Sequence, residues 1–180
     1  MKTKALILES VPSKIRTALQ LIFASLFIGL CAQIKIPLGF TPVPFTGQVF
    51  GVLLAGALLG SRKGALAALF YLIEGCIGLP VWAGGCSGFL HLMGPTGGYL
   101  LGYLAQAFLA GWFLEKIPRL NFIKAAAALS ACCWLQLALG SVWLSFFVED
   151  GFAKGFFPFI VIDSAKAVMV AAFLRIRRKL

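Results

Sequence analysis

The sequence predicts an all-α, polytopic membrane protein of six transmembrane helices with both termini in the cytoplasm. Three observations lead there. The 180 residues are 61% hydrophobic and only 12% charged, with a mean hydropathy of +0.96, where a soluble domain carries about 25% charged residues. Apolar runs recur at lengths near those that cross a hydrocarbon core, about 20 helical residues for about 30 Å. Apart from Lys166, lysine and arginine fall between those runs or at their ends.

By apolar length the spans lie near residues 17–34, 47–61, 64–80, 97–115, 122–147 and 156–175. They form one integral membrane domain over residues 1–180, with no room for a second, soluble unit. The first span is expected to be retained. "MKTKALILESVPSKIR" is basic, but Glu9, Ser10 and Pro12 interrupt it and leave no continuous apolar region for a cleaved signal peptide. The second span is short and bordered by glycine and proline. Before it runs "KIPLGFTPVPFTGQ", whose three prolines favour extended backbone. The glycine-rich "GLPVWAGGCSGFLHLMGPTGG" follows the third span. Non-helical backbone at membrane depth is tolerated where it packs in protein or lines a cavity, so both segments are expected to fold back onto the bundle.

Orientation follows from charge. With the N-terminus inside, the inner side holds thirteen basic residues (Lys2, Lys4, Lys14, Arg16, Arg62, Lys63, Lys116, Arg119, Lys124, Arg175, Arg177, Arg178 and Lys179). The outer side holds only Lys35 and Lys154, and Lys166 lies within the membrane. The positive-inside rule then puts both Gly/Pro-rich loops outside. The same distribution argues against nucleic acid despite the net charge of +10, because no basic stripe is interleaved with aromatic residues. The chain shows no obvious internal repeat and no phosphate-binding G-x-x-x-x-G-K-[ST] loop. The five cysteines lack any CxxC spacing and read as small buried hydrophobes. His91, the one histidine, cannot build a zinc site alone.

The residues that stand out chemically are Asp163 and Lys166 in the last span, three apart and therefore on one helix face. Either charge at the centre of a membrane helix costs about 2.5–3.5 kcal/mol on insertion scales. A self-neutralising ion pair is one explanation. A substrate site is the other, and intramembrane ionisable residues more often line one. Carboxylate and ammonium together suit a small ligand that offers both N–H donors and oxygen acceptors. Glu74 is a second acid, near the outer end of the third span. Gln33, Gln106 and Gln136 read as helix-joining polar groups, and Gln48, just after the first outer loop, as a binding candidate. Trp82, Phe89, Tyr99 and Tyr103 lie in or beside the second outer loop, either as an interfacial aromatic belt or as pocket walls.

"TPVPFTGQ", "GLPVWAGG", "GPTGGYLLGY" and "PFIVIDSAKA", in that order, resemble the BioY family, the biotin-specific S components of energy-coupling-factor (ECF) transporters. The resemblance runs from about residue 18 to 175. It implies a six-helix protein that captures biotin from outside and holds it without any cofactor. In the family the acid and lysine of the last helix contact biotin, which maps to Asp163 and Lys166. Two outer loops close over the ligand and map to Phe45–Gln48 and Trp82–Gly88. The implied ligand set is Asp163, Lys166, Trp82, Gly84, Gly85, Ser87, Tyr99, Gln48 and Thr46. An arginine that some members carry in the loop after "AGG" has no counterpart near Ser87. Ser25 and Gly29, four apart on the first helix, offer a small-xxx-small face, which the resemblance assigns to an ECF transmembrane coupling subunit acting with cytoplasmic ATPases. The chain could also act alone. The competing readings are an S component for another vitamin and an intramembrane enzyme using Asp163 and Glu74 as acid and base.

Overall fold

A computed structural model describes residues 12–117 and 121–178. In chain order the elements are α1 (Ser13–Ala32), β1 (Lys35–Ile36), β2 (Phe45–Thr46), α2 (Gln48–Leu59), α3 (Ser61–Cys76), α4 (Phe89–Leu92), α5 (Gly97–Lys116), α6 (Phe122–Leu144) and α7 (Gly151–Arg178). Lys2, Lys4, Arg119 and Lys179 of the charge count lie outside the described residues.

Polarity is arranged inside out. Ser25, Gln48, Gln106, Gln136, Asp163 and Lys166 are buried, while Phe23, Leu30, Val161 and Ile176 are each at least two-thirds exposed. A soluble fold would do the reverse. Here the bilayer supplies the apolar solvent, and the polar groups find one another inside. Among the described residues three helices are long and apolar enough to cross a membrane: Ser13–Ala32, Phe122–Leu144 and α7 over Gly151–Arg177. α2 is apolar but has only 12 residues, a rise of about 18 Å. It turns directly into α3 at Gly60, whose φ of +84° lies in the left-handed region. Close packing of α2, α3 and α5 depends on missing side chains. A Cβ on Gly56 would overlap the Ala107 carbonyl, and one on Gly64 would lie 2.6 Å from Gly56 Cα.

α5 runs through the middle of the bundle against α2, α3 and α6. α7 packs on α6 and α2, and α1 closes the other side on α2 and α3. Polar groups join these helices as expected. Gln106 Nε2 on α5 reaches Cys133 Sγ on α6 at 3.5 Å, and Gln136 Nε2 on α6 donates to the Tyr99 carbonyl at 3.2 Å.

Three features differ from the sequence expectation. α7 begins at Gly151 rather than near 156 and carries Pro158 within it; the ring removes one N–H but leaves the surrounding turns intact. The first Gly/Pro-rich loop contains a two-residue antiparallel ladder, Lys35 opposite Thr46 and Ile36 opposite Phe45. Prolines 37, 42 and 44 lack the donors to lengthen it. The second loop contains the single-turn helix α4. Ser25 and Gly29 also require a correction. Both are buried within the chain: Ser25 Oγ donates to Glu74 Oε1 at 2.8 Å, and Gly29 packs under Val81. Their small side chains admit α3 and the second Gly/Pro-rich loop, so they present no free face to a coupling subunit.

Candidate functional site

Three residues of separation place Asp163 and Lys166 side by side on the inner face of α7, 2% and 7% exposed. Lys166 Nζ donates to Asp163 Oδ1 at 2.6 Å and to the Thr46 carbonyl at 2.7 Å, and it stands 4.3 Å from the centre of the Phe45 ring. The ammonium therefore has a carboxylate, a carbonyl and a π-face, a set that offsets much of its desolvation. The last two come from β2, so the charge pair also pins the first Gly/Pro-rich loop over the site. Asp163 Oδ2 has no hydrogen-bond partner among the described residues and remains available as an acceptor.

Around the pair lies a cavity of about 360 Å³, lined in part by Thr46, Gln48, Trp82, Tyr99, Asp163 and Lys166. Gln48, at the start of α2, donates through Nε2 to the Tyr71 hydroxyl at 2.6 Å. Tyr99 on α5 pairs its hydroxyl with Ser141 Oγ at 3.1 Å. Gln136 also reaches the cavity, and its Oε1 is buried without a partner among the described residues.

The second Gly/Pro-rich loop is a set of tight turns. Trp82 N–H donates to the Cys86 carbonyl at 3.1 Å, Gly85 N–H to the Trp82 carbonyl at 3.0 Å, and Gly88 N–H to the Gly75 carbonyl at 2.7 Å. Gly84, Gly85 and Gly88 hold φ of +71°, +77° and +94°, where a side chain would be strained. These turns drive the Trp82 ring into the bundle, fully buried against Gly75, whose missing side chain makes the space. His91 on α4 packs on the tryptophan with ring centres 5.5 Å apart. Burial first, and the charge of nearby Lys35 second, push the His91 imidazole below its ordinary value.

The structure thus brings Asp163, Lys166, Trp82, Tyr99, Gln48 and Thr46 to one cavity. Gly84, Gly85 and Ser87 lie outside its lining; the glycines are exposed and shape the loop. Tyr103 lines the cavity, whereas Phe89 is 60% exposed. Glu74 is engaged with Ser25 and does not line the cavity, which separates it from Asp163 and removes the acid–base pairing an enzyme would need. Lys35 and His91 line the cavity and were not among the expected ligand residues. Their only sequence signal was polarity within otherwise apolar loops.

The BioY family profile matches residues 1–180. The "Biotin transporter BioY" of Thermotoga maritima is 43% identical over 89% of this chain and 95% of that protein. The "Probable biotin transporter BioY" of Pyrococcus horikoshii is 39% identical over 79% of this chain and 86% of its own. Among solved structures, the S component for biotin from an ECF-type ABC transporter superposes with a TM-score of 0.85 at 30% identity. That match covers 95% of this chain and 96% of the other.

Proposed function

This chain belongs to the BioY family, and from that premise we propose that it is the membrane-embedded biotin-binding subunit of a biotin uptake system. It is a transport component of the cell membrane, not an enzyme. The observation that carries the ligand assignment is the cavity of about 360 Å³ with a buried Asp163–Lys166 pair on its wall. That volume sits near the small end of the range for small-molecule sites, about 300–1,000 Å³.

Biotin's ureido ring carries two N–H donors and a carbonyl. Asp163 Oδ2 is the acceptor for an N–H, and Lys166 can donate to the ureido oxygen with its third proton, since two are already placed on Asp163 and Thr46. Trp82 and Tyr99 offer apolar surface to the bicyclic body. Gln48 and the Thr46 strand close the site from the first loop, while Gly84, Gly85 and Ser87 contribute through the shape of the second. The six longer helices traverse the membrane with both termini inside, so the cavity opens to the outside. The partners are an ECF transmembrane coupling subunit and cytoplasmic ATPases, met on a lipid-facing surface rather than at Ser25 and Gly29. Working alone is the variant form of the same reading.

The test is binding of radiolabelled biotin to the purified chain. Saturable binding near one biotin per chain, displaced by unlabelled biotin but not by thiamine or riboflavin, is expected. Displacement by another vitamin instead would transfer the site to that ligand, and no saturable binding would refute the assignment.

A further inference from the structure

A ligand with a neutral ring and an anionic tail needs a second polar contact away from Asp163. The tail cannot lie beside that carboxylate, because like charges in a poorly hydrated cavity repel strongly. The charged or titratable side chains of the lining, apart from its two tyrosines, are Asp163, Lys166, Lys35 and His91. Asp163 and Lys166 compensate one another at 2.6 Å, whereas Lys35 has no ion-pair partner among the described residues. The loop over residues 82–88 supplies no charged side chain of its own.

The position of Lys35 is built rather than incidental. It opens β1 and pairs across the ladder with Thr46, the residue whose carbonyl receives Lys166. The hairpin that caps the charge pair therefore also sets Lys35. From there its stem crosses to the second outer loop and lies on Gly84. A Cβ at Gly84 would stand 2.7 Å from Lys35 Cδ and 3.1 Å from Nζ. Gly84 is thus required twice, for its left-handed backbone and for the space the lysine occupies. The ammonium sits where the two loops meet over the cavity. His91, packed on Trp82, lines the same cavity close enough to Lys35 to sense its charge.

We propose that Lys35 receives the carboxylate of the bound ligand, with His91 beside it as a second nitrogen donor. The inference rests on the biotin reading and adds the residue that selects the free acid. A neutral tail would gain nothing from this ammonium.

The experiment compares biotin with biotin methyl ester on the unmodified chain, Lys35→Met and Lys35→Arg. The unmodified chain is expected to prefer the acid by about 5- to 30-fold, the range for one partly solvated charge-assisted contact. Lys35→Met should lose that preference by weakening biotin alone, leaving ester affinity within about twofold, because a thioether chain can still cover Gly84. Lys35→Arg should retain it. Equal weakening of acid and ester in Lys35→Met would show that the stem merely packs the loops together, and would overturn the proposal. So would an unmodified chain that binds both equally. A chain that binds neither compound would refute the biotin assignment itself. That outcome is distinct from tight biotin binding without acid preference, which would refute Lys35 alone.

Discussion

Neutralising the buried pair one partner at a time, and then together, separates a ligand site from a structural ion pair. Asp163→Asn leaves Lys166 with the Thr46 carbonyl and the Phe45 ring but no counter-charge. It also replaces a carboxylate oxygen facing the cavity. Losing one member of a buried, hydrogen-bonded charge pair costs about 2–5 kcal/mol, about 30- to several-thousand-fold in affinity. Lys166→Met removes more. Asp163 loses its partner, and the Thr46 carbonyl loses its donor, a further penalty of about 1–3 kcal/mol for a buried acceptor left unmade. Lys166→Met should therefore be the more damaging, with both variants still inserting, since each replacement is easier to place in lipid than the charge it removes. The double variant decides. If the pair only neutralises itself, removing both charges leaves no orphan and biotin binding recovers. If both side chains bind the ligand, the double variant stays as weak as the worse single. Equilibrium biotin binding on the four purified proteins, with expression and circular dichroism checked for each, is the assay. Recovery to within about threefold of the unmodified affinity, less than about 0.7 kcal/mol, would refute direct ligation.

Orientation is checked by cysteine labelling after replacing Cys31, Cys76, Cys86, Cys132 and Cys133. Single cysteines at 35, 86 and 154 should react with an impermeant maleimide in intact cells, and one at 62 only after permeabilisation; reaction at 62 in intact cells would overturn the topology. The lowered His91 value gives a pH prediction. The folded chain holds that proton less readily than the unfolded one, so this group's contribution to stability is full above about pH 6.5 and is lost as pH falls through the lowered value. A carboxylate placed beside it by biotin should reverse the preference, so affinity for biotin should rise relative to its methyl ester between about pH 7.5 and 6. Changes at Asp163 and Lys166 would act on both ligands alike. Parallel pH profiles for acid and ester would rule out a carboxylate near His91.

The helices could be read from the sequence where length and apolarity sufficed. α5 and α6 begin at the expected residues, 97 and 122. The elements that escaped depend on contacts distant in sequence. A two-residue ladder and a four-residue helix have no local stability, and they exist because Lys166 holds Thr46 and because Trp82 anchors the loop under α4. Ser25 and Gly29 show the limit of a small-xxx-small pattern. It reports that something approaches closely, not whether that something is another protein or, as here, the chain's own α3 and second Gly/Pro-rich loop. The glycines of "WAGG" were similarly ambiguous. Their φ values show that they serve the turn, and the consequence of that turn is the inward Trp82 ring.

The charge pair was legible because an insertion cost of about 2.5–3.5 kcal/mol per charge requires an offset that an apolar helix cannot supply. The structure shows that the two charges are offset unequally, and this bears on how the site discriminates. Lys166 is satisfied by three protein groups before any ligand arrives, two of them on the first loop. Asp163 spends one oxygen on Lys166 and keeps the other for the cavity. The lysine therefore fixes where the loop and the aspartate sit, and on the proposed reading the aspartate's open oxygen would select a ligand that can donate an N–H. A ring oxygen or an apolar group placed there would leave that acceptor buried and unpaired, at about 1–3 kcal/mol. On the proposed reading, specificity for a ureido-type ring follows from an acceptor that the fold leaves unmatched, and the proposed Lys35 contact would read the tail's charge separately, where the two loops meet.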